Sequence, residues 1–252
     1  MVKVTNIGEK NEKNICDVLN NKKFNELSSM WQDNIKRMFP FVENNDVINA
    51  YLYDDRRAKP DITIKCHKSR INVSIKSGTN PSVHQEYYYD FFQFLKQLGL
   101  SSRTRHIIAF YHFGVTNKLG NKDHPLTKDE IIEGYKDYII QANKEINSNK
   151  ELIKKFIYRT IIRGNNPDRE PMDYFYYGSP VQGFLLSTDE IYDMILKEKK
   201  PDDKNIHFGG LIYQPSGRKL HSRDRNYSKV KWPVLCVKFY NNDILEESND
   251  EN

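Results

Sequence analysis

The sequence predicts an α/β protein with a mixed central β-sheet flanked by helices. Residues 59–65 and 70–78 each alternate apolar and polar side chains with the period of two that is typical of half-buried strands. Amphipathic stretches with helical spacing stand on both sides of this pair of segments, and further short apolar runs follow. At 252 residues, the chain is long enough for one large α/β domain. We therefore expect a single domain over residues 1–252.

The elements before the strand pair are one helix and one strand. Apolar residues between positions 24 and 39 recur at i, i+3 and i+4, which predicts a helix that ends before Pro40. Residues 47–53 alternate and predict a strand, and the charged residues 54–57 predict a turn. The two strands of the pair come next.

The segment after the pair predicts a second helix and a fourth strand. Asn80-Pro81-Ser82 is a helix-start signal, so we expect a helix from Ser82 to Leu98, with Gly99 as its stop. The compact apolar run at 106–113 (HIIAFYHF) is interpreted as a buried strand, parallel to an earlier strand and joined to it by that helix.

The second half of the chain predicts α+β elements around one long loop. Residues 163–177 form a polar, Pro- and Tyr-rich segment that is long enough to suggest a functional loop. The other expected elements are a helix from a capping box at 126–130 to about 147, a helix at 151–162, a strand at 181–186, a short helix ending at 196, and strands at 205–213 and 234–240.

Cysteine usage and hydropathy limit the classes of protein that fit. Cys16, Cys66 and Cys236 are scattered without CxxC spacing, which indicates a reducing compartment and argues against disulfides and against a zinc site. The sequence contains no apolar leader and no apolar run as long as a membrane span. We expect a cytoplasmic protein. Nucleotide-binding glycine loops and a Gly-x-Ser-x-Gly motif are also absent from the sequence.

The ends of the strand pair carry the residues that suggest chemistry. Asp61 opens the first strand after Pro60, and Lys76 closes the second strand before Ser77-Gly78. A carboxylate and an ammonium on neighbouring strands can hold a divalent metal beside a scissile phosphate. We therefore expect Asp61 to be a metal ligand and Lys76 to orient or deprotonate the attacking water.

The pattern Pro60-Asp61, twelve intervening residues, then Ser74-Ile75-Lys76 resembles the PD-(D/E)XK superfamily of restriction-type endonucleases. The resemblance covers about residues 24–113 and includes the element order helix, three-stranded meander, helix, fourth strand. It implies a restriction-endonuclease-like core, with accessory elements at about 114–242 and an acidic tail at 243–252. The implied activity is Mg²⁺-dependent, site-specific cleavage of double-stranded DNA, commonly by a homodimer.

The chain departs from the superfamily pattern at Ser74, where an Asp or Glu is usual. A hydroxyl is a weaker metal ligand than a carboxylate. In some members an acid from the following helix takes over, and here that predicted helix offers Glu86 and Asp90, four residues apart. We place Glu86 first because it is nearer the strand pair, and keep Asp90 as a second candidate metal ligand. Glu43 or Glu26 is the candidate for an additional acid from the upstream helix.

A basic stretch at 215–231 predicts the nucleic-acid contact. It carries six basic residues against one acid, whereas the last ten residues carry five acids and no base. Lysines and arginines neutralise phosphates, and arginine also pairs with guanine through two hydrogen bonds. The candidate DNA-binding residues are Arg218, Lys219, Arg223, Arg225, Lys229 and Lys231. The loop Arg163–Arg169, with Arg159 and Arg163 just before it, is a candidate for a second DNA-facing wall.

Other functions fit the same sequence. Ser74 is also what a catalytically inactive DNA-binding protein on this fold would carry. An RNA-directed nuclease or binder is an alternative because sixteen tyrosines are available for base stacking. A repair nuclease and a structural protein that does not bind nucleic acid are the remaining alternatives.

Overall fold

The computed structural model describes residues 7–55, 57–78, 82–114, 126–196, 204–216 and 229–233. The chain forms two compact units, each made of two separated segments. The first unit takes Met1–Pro81 and Ile161–Ile191, and the second takes Ser82–Thr160 and Tyr192–Asn252. The expected α/β class is confirmed by a mixed six-stranded sheet and eight α-helices among the described residues. The single nuclease-like domain over 1–252 stays a prediction.

The first unit is built on the six-stranded sheet. Its strands lie in the order β1-β2-β3-β4-β6-β7, and every neighbouring pair is antiparallel except β4 and β6, which are parallel. The strands are β1 (Lys22–Lys23), β2 (Val47–Leu52), β3 (Ile62–Cys66), β4 (Ser69–Lys76), β6 (Tyr174–Gly178) and β7 (Gly183–Ser187). The predicted strand at 47–53 and the predicted strand pair are thus confirmed.

Two helices cover the apolar face of this sheet. They are α1 (Ile7–Leu19) and α2 (Ser29–Met38). The hydroxyl of Ser28 caps α2 by accepting a hydrogen bond from the Trp31 backbone, and Trp31 stacks on Tyr176 with ring centroids 4.9 Å apart. The core residues of α1, α2, β3 and β4 are Ile15, Cys16, Leu19, Trp31, Ile35, Met38, Ile62, Ile64, Cys66, Val73 and Ile75. Since side chains alternate along a strand, Thr63, Ser74 and Lys76 belong to the opposite face.

The second unit contains most of the helices and two small sheets. Its elements between Ser82 and Thr160 are β5 (Ser82–Tyr87), α3 (Tyr88–Gln97), α4 (Ser102–Phe113), α5 (Lys128–Gly134), α6 (Lys136–Asn147) and α7 (Lys150–Ile157). Its later strands are β8 (His207–Phe208), β9 (Leu211–Ile212), β10 (Gln214–Ser216) and β11 (Lys229–Pro233). Strand β5 pairs with β11, which pairs in turn with β10, all antiparallel, and β8 and β9 form a separate hairpin. A π-helix (Tyr158–Arg163) and α8 (Thr188–Leu196) each include residues of both units.

The predicted helix from Ser82 to Leu98 is wrong in its first third. Residues Ser82–Tyr87 form β5, and the helix begins only at Tyr88. Strand β5 gains its backbone partners from β11, more than 140 residues further along the chain, with Glu86 opposite Val230. Long-range strand pairing therefore overrides the local helix-start signal at Pro81-Ser82.

The predicted buried strand at 106–113 is also wrong, because these residues belong to α4. Ser101 caps this helix by accepting a hydrogen bond from Thr104 N at 3.1 Å, and Gly114 ends it in the left-handed conformation with φ 70°. The run is buried on almost every side, so it shows neither a period of two nor one of 3.6. The cap and the glycine stop, with the twelve residues of α4 between them, are the signals that identify the helix.

The predicted elements between residues 126 and 240 are confirmed only in part. The capping box is confirmed, with Thr127 and Glu130 reciprocally bonded, but the helix that it opens is interrupted at Tyr135. The segment 205–213 is a tight hairpin rather than one strand, and 234–240 lies outside the described residues. Among the described residues, every helix is too short or too polar to cross a membrane.

Candidate active site

The pair β3–β4 brings Asp61 and Lys76 to the same end of the sheet. Asp61 extends β3 by one residue, because its N–H donates to Val73 O at 2.9 Å and its carbonyl accepts from Tyr53 N at 2.9 Å. The register places Thr63 opposite Asn72, so Asp61 stands opposite Ser74 on the polar face. The backbone position of Asp61 is therefore fixed by both neighbouring strands.

One oxygen of Asp61 gathers the other candidate residues. Asp61 Oδ2 accepts hydrogen bonds from Ser74 Oγ at 3.0 Å, from the Ile75 backbone N–H at 2.5 Å and from Lys76 Nζ at 3.2 Å. Within the described part of the chain, no hydrogen bond reaches the second oxygen, Oδ1. We call Asp61, Ser74 and Lys76 the Asp61 cluster. Its carboxylate keeps one oxygen available as a ligand while the other is held in place.

The Asp61 cluster is open to solvent at its charged groups. The side chains of Asp61 and Lys76 are 21% and 24% exposed, whereas Ser74 is only 2% exposed. Lys76 Nζ also donates to the Ile75 carbonyl at 2.7 Å. A substrate can therefore reach the carboxylate and the ammonium, and the buried hydroxyl beneath them orients the carboxylate.

The N-terminal half of α1 lies at this same end of the sheet. Lys76 pairs with Tyr177 on β6, and the next carbonyl, Gly178 O, accepts a hydrogen bond from Asn11 Nδ2 at 2.9 Å. Glu12 follows Asn11 and is half-buried. It precedes Ile15, Cys16 and Leu19, the buried residues of α1, at the i, i+3, i+4 and i+7 spacing of one helix face.

Glu12 is a half-buried acid of α1 that sequence reasoning did not name. Burial first, and then the negative charges of Asp17 and Glu12, raise the pKa of the Cys16 thiol to about 12. The signal in the sequence was the spacing of Glu12 from Ile15, Cys16 and Leu19, which places it at the N-terminal end of the buried stripe of α1.

The two upstream acids named as alternatives have local roles. Glu26 caps the N-terminus of a short 3-10 helix, because its side chain accepts a hydrogen bond from the Lys23 backbone N–H at 3.1 Å. Glu43 is exposed in the loop before β2, where its backbone N–H donates to Asp46 Oδ2 at 2.8 Å.

Glu86 lies in the second unit, on β5, in an ion pair. Both of its oxygens contact Arg159 Nη1, at 2.6 and 2.7 Å, and His84 Nε2 lies 3.3 Å from Oε1. The Glu86 side chain is fully buried, and the Arg159 guanidinium also stacks over Phe94 at 4.3 Å. We call Glu86, His84 and Arg159 the Glu86 cluster. Arg159, which the sequence analysis placed at a second DNA-facing wall, forms this ion pair, and its role towards DNA stays a prediction.

The electrostatics of the Glu86 cluster keep its carboxylate charged. Burial acts to raise the pKa of Glu86, but the hydrogen bond and charge of His84 and the charge of Arg159 outweigh it and lower the pKa below its ordinary value. Asp90, in contrast, is exposed in the first turn of α3. The two acids lie on different elements, so the argument that they share one helix face is wrong.

The predicted DNA-binding residues fall mostly outside the described residues. These are Arg218, Lys219, Arg223 and Arg225. Lys229 and Lys231 lie on β11, opposite Tyr87 and Gln85 of β5 and opposite Ser216 and Gln214 of β10. The end of the basic stretch is therefore the central strand of a three-stranded sheet.

The chain matches no model of a known protein family, and no curated protein is found to be similar to it.

Proposed function

We propose that this protein is a Mg²⁺-dependent endonuclease that hydrolyses phosphodiester bonds in double-stranded DNA. The observation that carries the proposal is the Asp61 cluster, in which an accessible carboxylate lies 3.2 Å from an accessible ammonium at the end of a rigid strand pair. Phosphodiester hydrolysis needs a metal-binding carboxylate and a cation beside the attacking water. The spacing Pro60-Asp61 to Ser74-Ile75-Lys76, which resembles the PD-(D/E)XK pattern, agrees with these roles.

The topology of the first unit supports a restriction-endonuclease-like core. Strands β2, β3 and β4 form an antiparallel meander, and β6 is parallel to β4. The fourth strand implied by the resemblance was assigned to 106–113, which is helical. Strand β6 (Tyr174–Gly178) takes that position in the sheet, so the connection between third and fourth strands contains the whole segment 82–160.

The donor atoms at the Asp61 cluster fit a magnesium ion. Mg²⁺ prefers carboxylate, carbonyl and water oxygens, and Asp61 Oδ1 meets this preference. When bound, Mg²⁺ would polarise the phosphoryl oxygen and activate water. Lys76 would orient that water and offset the negative charge that develops on the phosphate. Ser74 and the Ile75 backbone would hold Asp61 in its productive orientation.

We propose Glu12 as the second acid of the site. The usual acid position holds Ser74, and the carboxylate of Glu86 is engaged by Arg159 and His84. Glu12 is one residue from Asn11, which contacts the strand next to Lys76. A carboxylate from α1 would supply the ligand that a serine cannot.

DNA as the substrate is supported by charge. Residues 215–231 contain six lysine and arginine residues and one acidic residue, and proteins bind a DNA duplex first through its phosphates. Site specificity, a homodimer that cuts both strands and a cytoplasmic location remain predictions of the resemblance and the sequence.

The test is cleavage of supercoiled plasmid by the purified chain with Mg²⁺, with EDTA and with an Asp61→Asn variant as controls. The proposal expects discrete fragments only from the wild-type protein with Mg²⁺, and sequencing their ends gives the recognition site. Retained cleavage by Asp61→Asn would contradict the assignment of the site.

A DNA-binding protein without catalysis is the second candidate. The observation that favours it is the hydroxyl of Ser74, which donates to Asp61 where a nuclease of this pattern usually has a carboxylate. In that case the plasmid shifts in a gel at low salt but stays uncut at every Mg²⁺ concentration.

A further inference from the structure

Cysteine, histidine and carboxylate side chains meet at the turn between β3 and β4. Cys66 ends β3, His67 is the first residue of the two-residue turn, and Asp46 immediately precedes β2. The nearest ligand atoms of these three residues all lie within 4.8 Å of one another. Asp46 Oδ2 and His67 Nε2 are 2.8 Å apart. We infer that Asp46, Cys66 and His67 form a binding site for Zn²⁺ or a similar thiophilic divalent ion.

The distances suit a small tetrahedral ion. Zinc bonds of about 2.0 to 2.3 Å place neighbouring ligand atoms roughly 3.3 to 3.8 Å apart. Asp46 Oδ2 and His67 Nε2 are 2.8 Å apart and no pair exceeds 4.8 Å, so each pair differs from this spacing by about 1 Å or less. The ion would replace the hydrogen bond between Asp46 and His67 and release the thiol proton of Cys66. Three protein ligands leave the fourth position to water.

The two less mobile ligands are fixed in position by the sheet. Cys66 pairs with Ile48 on β2, and Asp46 lies two residues before Ile48, so Asp46 and Cys66 project from the same face. The Asp46 backbone accepts from Phe24 N at 2.9 Å and donates to Glu43 O at 3.0 Å. A site with two preorganised ligands loses little conformational entropy on binding.

The backbone of His67 is a second, independent observation. His67 has φ 53°, in the left-handed region that glycine and asparagine adopt most easily. A histidine here costs of order 1 kcal/mol or more in backbone strain. The imidazole Nε2 of His67 lies 2.8 Å from Asp46 Oδ2.

The donor set selects the ion. A cysteine sulfur and an imidazole nitrogen are ligands that Zn²⁺ and similar thiophilic ions prefer. Mg²⁺, which prefers oxygen, is a poor competitor.

This site goes beyond the proposed nuclease function. Asp61 and Cys66 are at opposite ends of β3, about 17 Å apart along the strand, and share no ligand. The absence of CxxC spacing in the sequence argued against a zinc site. That spacing cannot reveal these three ligands, because they are an adjacent Cys-His pair and an aspartate about twenty residues earlier in the chain. Bound zinc would tie the loop before β2 to the β3–β4 turn.

The test uses Co²⁺ as a spectroscopic substitute for zinc in the full chain with Cys16→Ser and Cys236→Ser, which leaves Cys66 as the only thiol. We expect one equivalent of Co²⁺ to produce the thiolate charge-transfer absorption and tetrahedral d–d bands, and one equivalent of Zn²⁺ to abolish them. The same titration with Mg²⁺ as competitor should leave the bands unchanged.

Two further variants identify the ligands. His67→Asn, which keeps a residue that tolerates positive φ, should weaken Co²⁺ binding by at least tenfold without unfolding the chain. Lys68→Asn, in the same turn, is the control and should bind as before. Absence of the thiolate band in the single-cysteine protein, or equal affinity of His67→Asn and Lys68→Asn, would overturn the inference. Plasmid cleavage is not a readout, so failure here leaves the nuclease proposal intact.

Discussion

The Asp61 cluster and the Glu86 cluster both pair a carboxylate with a cation, yet they are suited to opposite tasks. Asp61 is 21% exposed, meets one lysine and keeps Oδ1 available within the described part of the chain. Glu86 has no exposed side-chain surface and uses both oxygens on Arg159. A buried, fully paired carboxylate stabilises a fold, whereas a carboxylate with a spare, accessible oxygen can bind a metal. The comparison shows that the setting of a carboxylate, rather than its place in a motif, decides its role.

The largest expected effect comes from breaking the buried pair. Glu86→Gln leaves the Arg159 charge, which is only 12% exposed, without its counter-ion, and we expect a loss of about 3–5 kcal/mol in the free energy of unfolding. The measurement is urea denaturation of the variant beside Asp90→Asn, an exposed acid of the same unit that should change stability by less than about 0.5 kcal/mol. If Glu86 were instead a metal ligand, Glu86→Gln would lose cleavage and keep its stability.

The pair of Glu86 and Arg159 also predicts how the free energy of unfolding changes at low pH. The pKa of folded Glu86 is lowered from its ordinary 4.5, so the unfolded chain binds this proton at a higher pH than the folded chain does. The stability that Glu86 contributes is therefore complete above pH 4.5 and disappears as the pH falls through the lower, folded pKa. The difference in unfolding free energy between wild type and Glu86→Gln should shrink in that acid range, and denaturation at stepped pH measures it. A difference that grows in acid would reverse the assigned direction.

The next largest effect tests the acid on α1. Glu12→Gln should reduce plasmid cleavage at least about 100-fold, which is about 2.7 kcal/mol of transition-state stabilisation, and should raise the Mg²⁺ concentration needed for half-maximal rate. Asp17→Asn, an exposed acid of the same helix, serves as the control and should leave both values unchanged. Equal rates for the two variants would return the second-acid role to the alternatives on β5 and α3.

The smallest expected effect belongs to the buried hydroxyl. Ser74→Ala removes the hydrogen bond to Asp61 Oδ2, and we expect stability to fall by about 1 kcal/mol and cleavage by about fivefold. Thr63→Val is the matched control, because the Thr63 hydroxyl donates to Asn72 on the same face of the sheet and does not touch Asp61. Thr63→Val should lower the free energy of unfolding by a similar amount and leave the rate of plasmid cleavage unchanged. A similar loss of rate in both variants would show that Ser74 acts through the fold only.

The sequence predicted the part of the site that depends on local structure. Alternation around Ile62, Ile64, Val73 and Ile75 defined both strands, and the short turn between them left little freedom in their register. The contact between Asp61 and Lys76 follows from that register. These features need only neighbouring residues, so they could be read without tertiary information.

The remaining features depend on distant partners. Strand β5 exists because β11 pairs with it, and nothing near Ser82 encodes that contact. The burial of Glu86 likewise requires Arg159, which lies 73 residues away. The run at 106–113 is apolar throughout, and such a run fits a buried helix as well as a buried strand. In each case tertiary packing selected between two local structures that the sequence allowed.

The most direct test of the account separates cleavage from DNA binding in Lys76→Ala. Lys76 is placed beside the attacking water, whereas affinity for the duplex is assigned to the basic stretch at 215–231. Gel-shift affinity without metal and plasmid cleavage with Mg²⁺ are measured on the same preparation, with Lys65→Ala, an exposed lysine of β3, as the matched control. We predict that Lys76→Ala binds DNA within about twofold of wild type and does not cut it. Mg²⁺-dependent cleavage by Lys76→Ala at the wild-type rate would contradict it.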